Sequence, residues 1–258
     1  NKNTITMKRI NTFLIALFML AGFNLSAQVA ISTDGSSVNN SAMLEVKSTN
    51  KGFLPPRVTQ AQRDAITPAI GLIVYNSTTN KPNYYNGTEW MNYDGTSAKP
   101  LEIGDAYEGG IVAYILQSGD PGYIAGKIHG IIAAASDQST GAIWGCLYTA
   151  ISGADGTALG TGSQNTSEIV AGCSESGIAA RICNDLVLNG YDDWYLPSKD
   201  ELNKLYQSRV LIGGFAVEWY WSSSEVSNLI AWGQDFRNGY QSYYYKDGPH
   251  HVRAVRAF

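Results

Sequence analysis

The chain reads as an α+β protein in two parts: a small all-β segment over residues 28–98, and a larger domain over residues 101–258 with two helices and antiparallel hairpins. Three observations predict this. Residues 111–116 and 129–135 are nearly continuous apolar runs of the buried-strand kind. Ser198-Lys199-Asp200-Glu201 is a capping box directly behind Pro197, so a helix starts there. Asn86-Gly87 and Asn238-Gly239 each separate β-type runs, and Asn-Gly is the strongest short hairpin signal because it tolerates positive φ at both turn positions.

In chain order, residues 7–27 read as a signal peptide. Lys8 and Arg9 form its basic start, residues 13–23 its apolar middle, and Leu25-Ser26-Ala27 its cleavage site. Residues 1–6 read as an extension upstream of Met7. The apolar run is shorter than the roughly 20 residues that span a bilayer, so no membrane span is expected once the signal is removed. Lys2, Lys8 and Arg9 would leave with it and no acid would, taking the formal charge from −4 to −7. A mildly acidic chain without a basic run has no general attraction for nucleic acid or anionic membrane, so neither is expected as a partner.

The segment 28–98 is rich in Asn, Thr, Ser and Gly, with short β-type runs at residues 71–75 and 84–85. Pro55, Pro56, Pro68 and Pro82 exclude a long helix over most of it, leaving room for a short one near residues 59–65. So polar a string of hairpins cannot build a large core alone. It is expected to be a stalk, an adaptor or a self-associating segment, with trimerisation as the concrete form. Residues 93–100 turn to small polar types and read as a linker.

Beyond it, Gly109-Gly110 leads into the first buried strand. The first helix is expected near Asn165, with Glu168 as capping partner. Ile169, Cys173, Ile178, Ile182 and Leu186 recur at helical spacing, and Gly172 and Gly177 weaken the middle. The second helix follows Ser198, lines one face with Leu202, Leu205 and Tyr206, and closes at Gly213-Gly214. Cys146, Cys173 and Cys183 in an exported chain imply one disulfide and one spare thiol, with the pairing open. None has zinc-site spacing and there are three histidines, so no metal or other cofactor is expected.

Residues 219–258 point to function. Trp232, Gln234 and Phe236 alternate with Gly233, Asp235 and Arg237, so a packed face and a free face are expected along one strand. After the Asn238-Gly239 turn come Tyr240, Ser242, Tyr243, Tyr244 and Tyr245, then Asp247, His250 and His251. Tyr is a rigid amphipathic contact residue, and Ser, Gly and Asn adapt around it. The expectation is a binding surface without catalytic residues, with Tyr243, Tyr244 and Arg237 as its centre.

The run from Tyr191-Asp192-Asp193-Trp194 to Ser198, the capped helix, and Tyr220-Trp221-Ser222-Ser223-Ser224-Glu225 together resemble a known family. It is the C-terminal domain of bacterial collagen-like adhesins and paralogous secreted proteins. The resemblance covers roughly residues 103–258 and implies a C-type-lectin-like fold of the formylglycine-generating-enzyme subtype. The ending, from Trp221 to Val252-Arg253-Ala254-Val255-Arg256-Ala257-Phe258, is also similar to variable proteins of diversity-generating retroelements, whose terminal cassette is rewritten at adenines.

That second resemblance implies a set of variable positions. Mutating the adenines of an AAC codon never yields Glu, Lys, Met, Gln or Trp. Val226, Ser227, Asn228, Leu229, Ile230, Gly233, Asp235, Arg237, Tyr240, Ser242, Tyr243, Tyr244, Tyr245, Asp247, His250 and His251 all fall inside the reachable set. Trp232, Gln234 and Gln241 fall outside it and belong to the frame. Glu225 and Lys246 have adenine-containing codons and would have to be held by selection. Relatives often carry Cys where Ala254 stands, which would leave Cys183 without its partner and implies a Cys146–Cys173 bridge.

The implied protein is a ligand-binding adhesin, secreted or on the outer surface of a bacterium, with a protein or glycan partner. The alternative is a structural subunit of a surface fibre or layer. An enzyme is not expected, because Asp192 and Asp193 have no nucleophile beside them and no His cluster exists in sequence. Trp194, Trp221 and Trp232 are expected in the core, and Arg253 and Arg256 in ion pairs with Asp192, Asp193 or Glu225.

Overall fold

The structure is a computed structural model that describes residues 28–258, so the expected signal peptide lies outside the described residues. The described residues are mixed α and β, mostly sheet with four short helices, and divide into two compact units at Lys99/Pro100.

In the first unit, β1 (Val29–Ser32) pairs in parallel with β2 (Leu44–Lys47), with Val29 opposite Leu44 and Ile31 opposite Val46. A second sheet has the order β3 (Arg57–Val58), β4 (Ile73–Asn76), β5 (Lys81–Tyr85), β6 (Trp90–Asn92). The Asn86-Gly87 pair forms the β5–β6 turn, with Gly87 at φ +105°. Helix α1 (Gln60–Asp64) is the short helix expected there, capped reciprocally by Thr59 and Gln62. The core is small: Val74, Trp90 and Ala98, backed by buried Arg63, whose Nη1 donates to Asn83 at 2.7 Å.

The second unit holds two sheets. One has the order β15 (Val255–Ala257), β9 (Gly130–Ala133), β8 (Gly110–Ile115), β7 (Ala106–Tyr107). The other runs β10 (Ser139–Ala142), β14 (His250–Val252), β11 (Trp219–Glu225), β12 (Ile230–Asp235), β13 (Gln241–Tyr245), which leaves β13 at an edge. Residues 250–257 pass from one sheet to the other. Two apolar clusters fill the unit, one around Trp144, Ile169, Leu196 and Trp221, the other around Leu202, Leu205, Tyr220 and Phe236.

The helix expected from Asn165 onward is two helices, α2 (Gly162–Gly172) and α3 (Ala179–Asn184). Cys173 is extended at φ −127°, tied by its sulfur to Cys146, and Gly177 at φ +71° completes the break. Asn165 is not the cap. It lies inside α2 and donates from Nδ2 to the Gly156 carbonyl at 2.6 Å and Ser223 Oγ at 3.3 Å. By contrast α4 (Lys199–Ile212) starts at the Ser198/Glu201 capping box and ends at Gly213 (φ +75°), a cap that contributes about 0.5–2 kcal/mol.

Candidate functional site

The β11–β12–β13 sheet sets the site. Trp219, Tyr220 and Trp221 face Asp235, Gln234 and Gly233, and Ile230, Ala231, Trp232, Gly233 and Gln234 face Tyr245, Tyr244, Tyr243, Ser242 and Gln241. Side chains alternate along a strand, so the tyrosines of β13 divide. Tyr243 and Tyr245 share a face with Trp232 and Ile230, whereas Tyr244 shares the other with Trp219 and Trp221.

Helix α4 covers half of the first face. Gln234 Nε2 donates to Asn203 Oδ1 at 2.9 Å, and Gln241 Nε2 to the Lys199 carbonyl at 2.9 Å. The hairpin turn reaches the same helix, because Gly239 (φ +83°) sits where any Cβ would strike the Tyr206 ring. Past the start of α4 the face opens to solvent. Lys199 Nζ lies 5.1 Å over the Trp232 ring, Tyr243 meets that ring edge-on at 5.7 Å, and Tyr243 and Tyr245 are 53% and 64% exposed. Trp194 and Trp221 are core residues, but Trp232 is a half-exposed part of this aromatic face.

The second face is largely closed. Tyr244 packs on Trp219 at 4.5 Å and on His250 at 5.0 Å, and His250 lies 4.4 Å from Trp221. Burial of that ring pulls its pKa down to about 4. Gly233 and Asp235, expected on a free face, are buried. The Asp235 carboxylate accepts from Arg237 Nε at 2.8 Å and from its backbone N–H at 2.9 Å; that hydrogen bonding lowers the carboxyl's pKa. At this end β12 has no free face: α4 holds Gln234 on one side, and Gly233 and Asp235 on the other are buried.

His251 is also engaged. Asp137 Oδ2 lies 2.9 Å from its Nδ1 and accepts the Tyr220 hydroxyl at 2.7 Å, while Oδ1 accepts from Arg253 Nε at 2.7 Å. Arg253 therefore pairs with Asp137, which sequence reasoning did not name. Arg256 pairs with Asp193, at 2.7 and 2.9 Å.

At the other end of the hairpin, Val226 and Ser227 donate their backbone N–H groups to the Ile230 carbonyl, closing a tight turn. Beneath it Lys246 and Glu225 form a buried ion pair. Lys246 Nζ also donates to the Thr149 carbonyl at 2.7 Å, and Glu225 accepts the Ile151 N–H at 3.0 Å. Val226, Asn228, Arg237, Tyr240, Tyr243, Tyr245 and Asp247 stand exposed, and Ser227, Leu229, Ile230, Ser242 and Tyr244 are half-buried.

Cys146 and Cys173 are bonded, with Cα atoms 5.8 Å apart, and Cys183 is a buried free thiol whose pKa is raised by desolvation. Among the described residues, the group spaced to hold a metal is Cys146, Cys173 and Glu175, and the bridge occupies both sulfurs. No described helix is long and apolar enough to cross a membrane.

Residues 133–256 match the family model for the Lcl C-terminal domain, and residues 30–103 match that for a phage tail like trimerisation region. A fimbrial protein from Bacteroides ovatus ATCC 8483 of known crystal structure is similar at 14% identity over 63% of this chain, with a TM-score of 0.39. The chain spans 46% of that protein's length. No curated protein matches.

Proposed function

We propose that this chain is a surface-displayed, adhesin-type binding protein. Three copies join through the first unit and present three C-type-lectin-like heads, each offering the open end of its β12–β13 hairpin to a protein or glycan ligand. The reading is of a binding protein, not an enzyme, exported by the segment ahead of residue 28.

One observation supports this most. Over residues 225–251, three buried side chains are each held by a polar partner (Glu225 by Lys246, Gln234 by Asn203, Asp235 by the exposed Arg237), while Val226, Tyr243 and Tyr245 stand exposed. Preorganised aromatics lose little entropy on binding. A base held by such pairs also tolerates replacement of the exposed residues, which suits a diversified cassette. An adenine-rich near-copy of this stretch beside a reverse-transcriptase gene would establish diversification separately.

Trimerisation has its own support besides the family match to residues 30–103. Val29, Ile31, Leu44 and Val46 share one face of a two-stranded sheet and are all exposed. A two-stranded pair is marginal by itself in water, and packing against two further copies would cover that face. Linking three heads raises avidity without any new contact.

The test is adhesion of labelled mature protein to intact bacterial and mammalian cells. The double variant Tyr243→Ala/Tyr245→Ala should lose at least about tenfold in apparent affinity, with the thermal midpoint unchanged. A midpoint falling in step with adhesion would mark these tyrosines as structural and remove the site.

A further inference from the structure

The 146–151 loop belongs to none of the segments that sequence reasoning assigned to binding, and it holds a large exposed side chain on left-handed backbone. Tyr148 sits at φ +73° with 75% of its surface in solvent, and Cys146, two residues earlier, is at φ +48°. A bulky side chain in the left-handed region is strained, and only surrounding structure that over-determines it can hold it there.

That structure is present. The Cys146–Cys173 bridge fixes the loop at its start, and the Cys146 N–H donates to Glu175 Oε2 at 3.0 Å. At its other end, the Thr149 carbonyl accepts from Lys246 Nζ and the Ile151 N–H donates to Glu225. Between these anchors the Tyr148 N–H donates to the Asn228 carbonyl at 2.8 Å, and Asn228 Nδ2 returns to the Tyr148 carbonyl at 3.5 Å. The loop is therefore stitched to the 226–230 turn, and the ion pair that fixes that turn also fixes the loop.

A fold gains nothing from holding an exposed phenol in a strained backbone. We propose that Tyr148 is a contact residue of the recognition tip, supplied by the constant scaffold beside the changeable one, and that the surface it helps form takes a protein partner. The inference rests on the reading of the hairpin end as the binding surface.

The partner class follows from what is exposed there. Tyr148, Val226, Tyr243 and Tyr245 are phenolic or aliphatic, and Asn228 and Asp247 are the exposed polar residues beside them, an apolar patch with a polar rim. That composition matches the aromatic-rich centre of a protein interface. A glycan would need a fan of fixed polar groups to replace the water on its hydroxyls. A scaffold tyrosine would give every variant of the tip one common anchor, with selectivity coming from the residues around it.

Glycine at position 148 separates strain from structure, because glycine occupies the left-handed region without penalty. Tyr148→Gly should keep or raise the thermal midpoint and lower adhesion at least about tenfold. The probe is the same cell panel, each cell type used before and after trypsin shaving, with Tyr243→Ala/Tyr245→Ala run alongside. Loss in both variants, with binding abolished by shaving, is the expected result. Loss in the double variant with Tyr148→Gly unaffected would overturn the role of Tyr148 and leave the site standing. No loss in either variant would overturn the site and the inference with it. Adhesion that survives shaving would overturn the protein partner.

Discussion

The two units treat apolar surface in opposite ways. In residues 100–258 the large apolar side chains are mostly inside, in two clusters that include Trp144, Ile169, Leu205 and Trp221. In the first unit Val74, Trp90 and Ala98 form the core, while Val29, Ile31, Met43, Leu44, Phe53, Leu54 and Ile70 are exposed. Folding free energy scales with apolar area removed from water. The second unit removes that area within one chain, and the first leaves much of its own outside. On the proposed reading the difference separates two jobs, assembly and presentation, and makes them independently breakable.

The largest effect should come from breaking assembly. Ile31→Glu places a charge in the centre of the exposed β1–β2 face. Sedimentation equilibrium should show loss of the trimer at micromolar concentration, with the near-ultraviolet signal of the second unit's tryptophans unchanged. If the variant stays trimeric, that face is not the contact. If the wild type is monomeric, the first unit is a stalk and its apolar surface needs another explanation.

Next in size is the lock beneath the tip. Lys246 is fully buried and Glu225 nearly so. Removing one member of a buried pair leaves the other charge uncompensated, typically at about 3–5 kcal/mol. Lys246→Met should lower the second unit's stability by about that amount in urea unfolding and leave the first unit's transition in place. The double variant Glu225→Gln/Lys246→Met should recover much of the loss, because the amide still accepts from Ile151 and no charge remains buried. Equal losses in the single and double variants would mean that packing, not charge, is what Lys246 contributes.

How much of this was legible in the sequence depended on the range of the cause. Ser198 with Glu201, and the two Asn-Gly turns, are set within a few residues, and all three hold in the structure. The break between α2 and α3 needed the partner of Cys173, and Cys146 lies 27 residues away. Asp235 looked free because alternation was read from one strand alone. Its burial comes from β11 on one side and from its own bond to Arg237. The split of Tyr244 from Tyr243 and Tyr245 follows from period two and was available, but a tyrosine run invites reading as one patch. Tyr148 gave no signal at all. Its left-handed backbone is held by Asn228, 80 positions along, and the next residue, Thr149, by Lys246.

The smallest effect is one of pH, and it sharpens the contrast because all three histidines lie in the second unit. The His250 ring sits among Trp219, Trp221 and Tyr244, and burial lowers its pKa from 6.5 to about 4. Between those values the unfolded chain binds a proton that the folded one does not, so stability rises with pH across that window and falls as pH drops from about 6.5 to about 4. The ring is partly solvated, which holds the loss to about 1–2 kcal/mol, below the full value of the shift. His250→Phe keeps an aromatic ring in the cluster and removes the proton site. Its urea midpoint should therefore fall less than the wild type's between pH 7 and pH 4.5. That range lies above the lowered carboxylates Asp235 and Asp193, and within it Glu201, whose pKa burial raises, contributes equally to both proteins. The first unit should show no His-linked slope in either protein. An unchanged slope in the variant would mean that His250 takes up its proton without cost, and that the second face of the hairpin is open to water where the structure closes it.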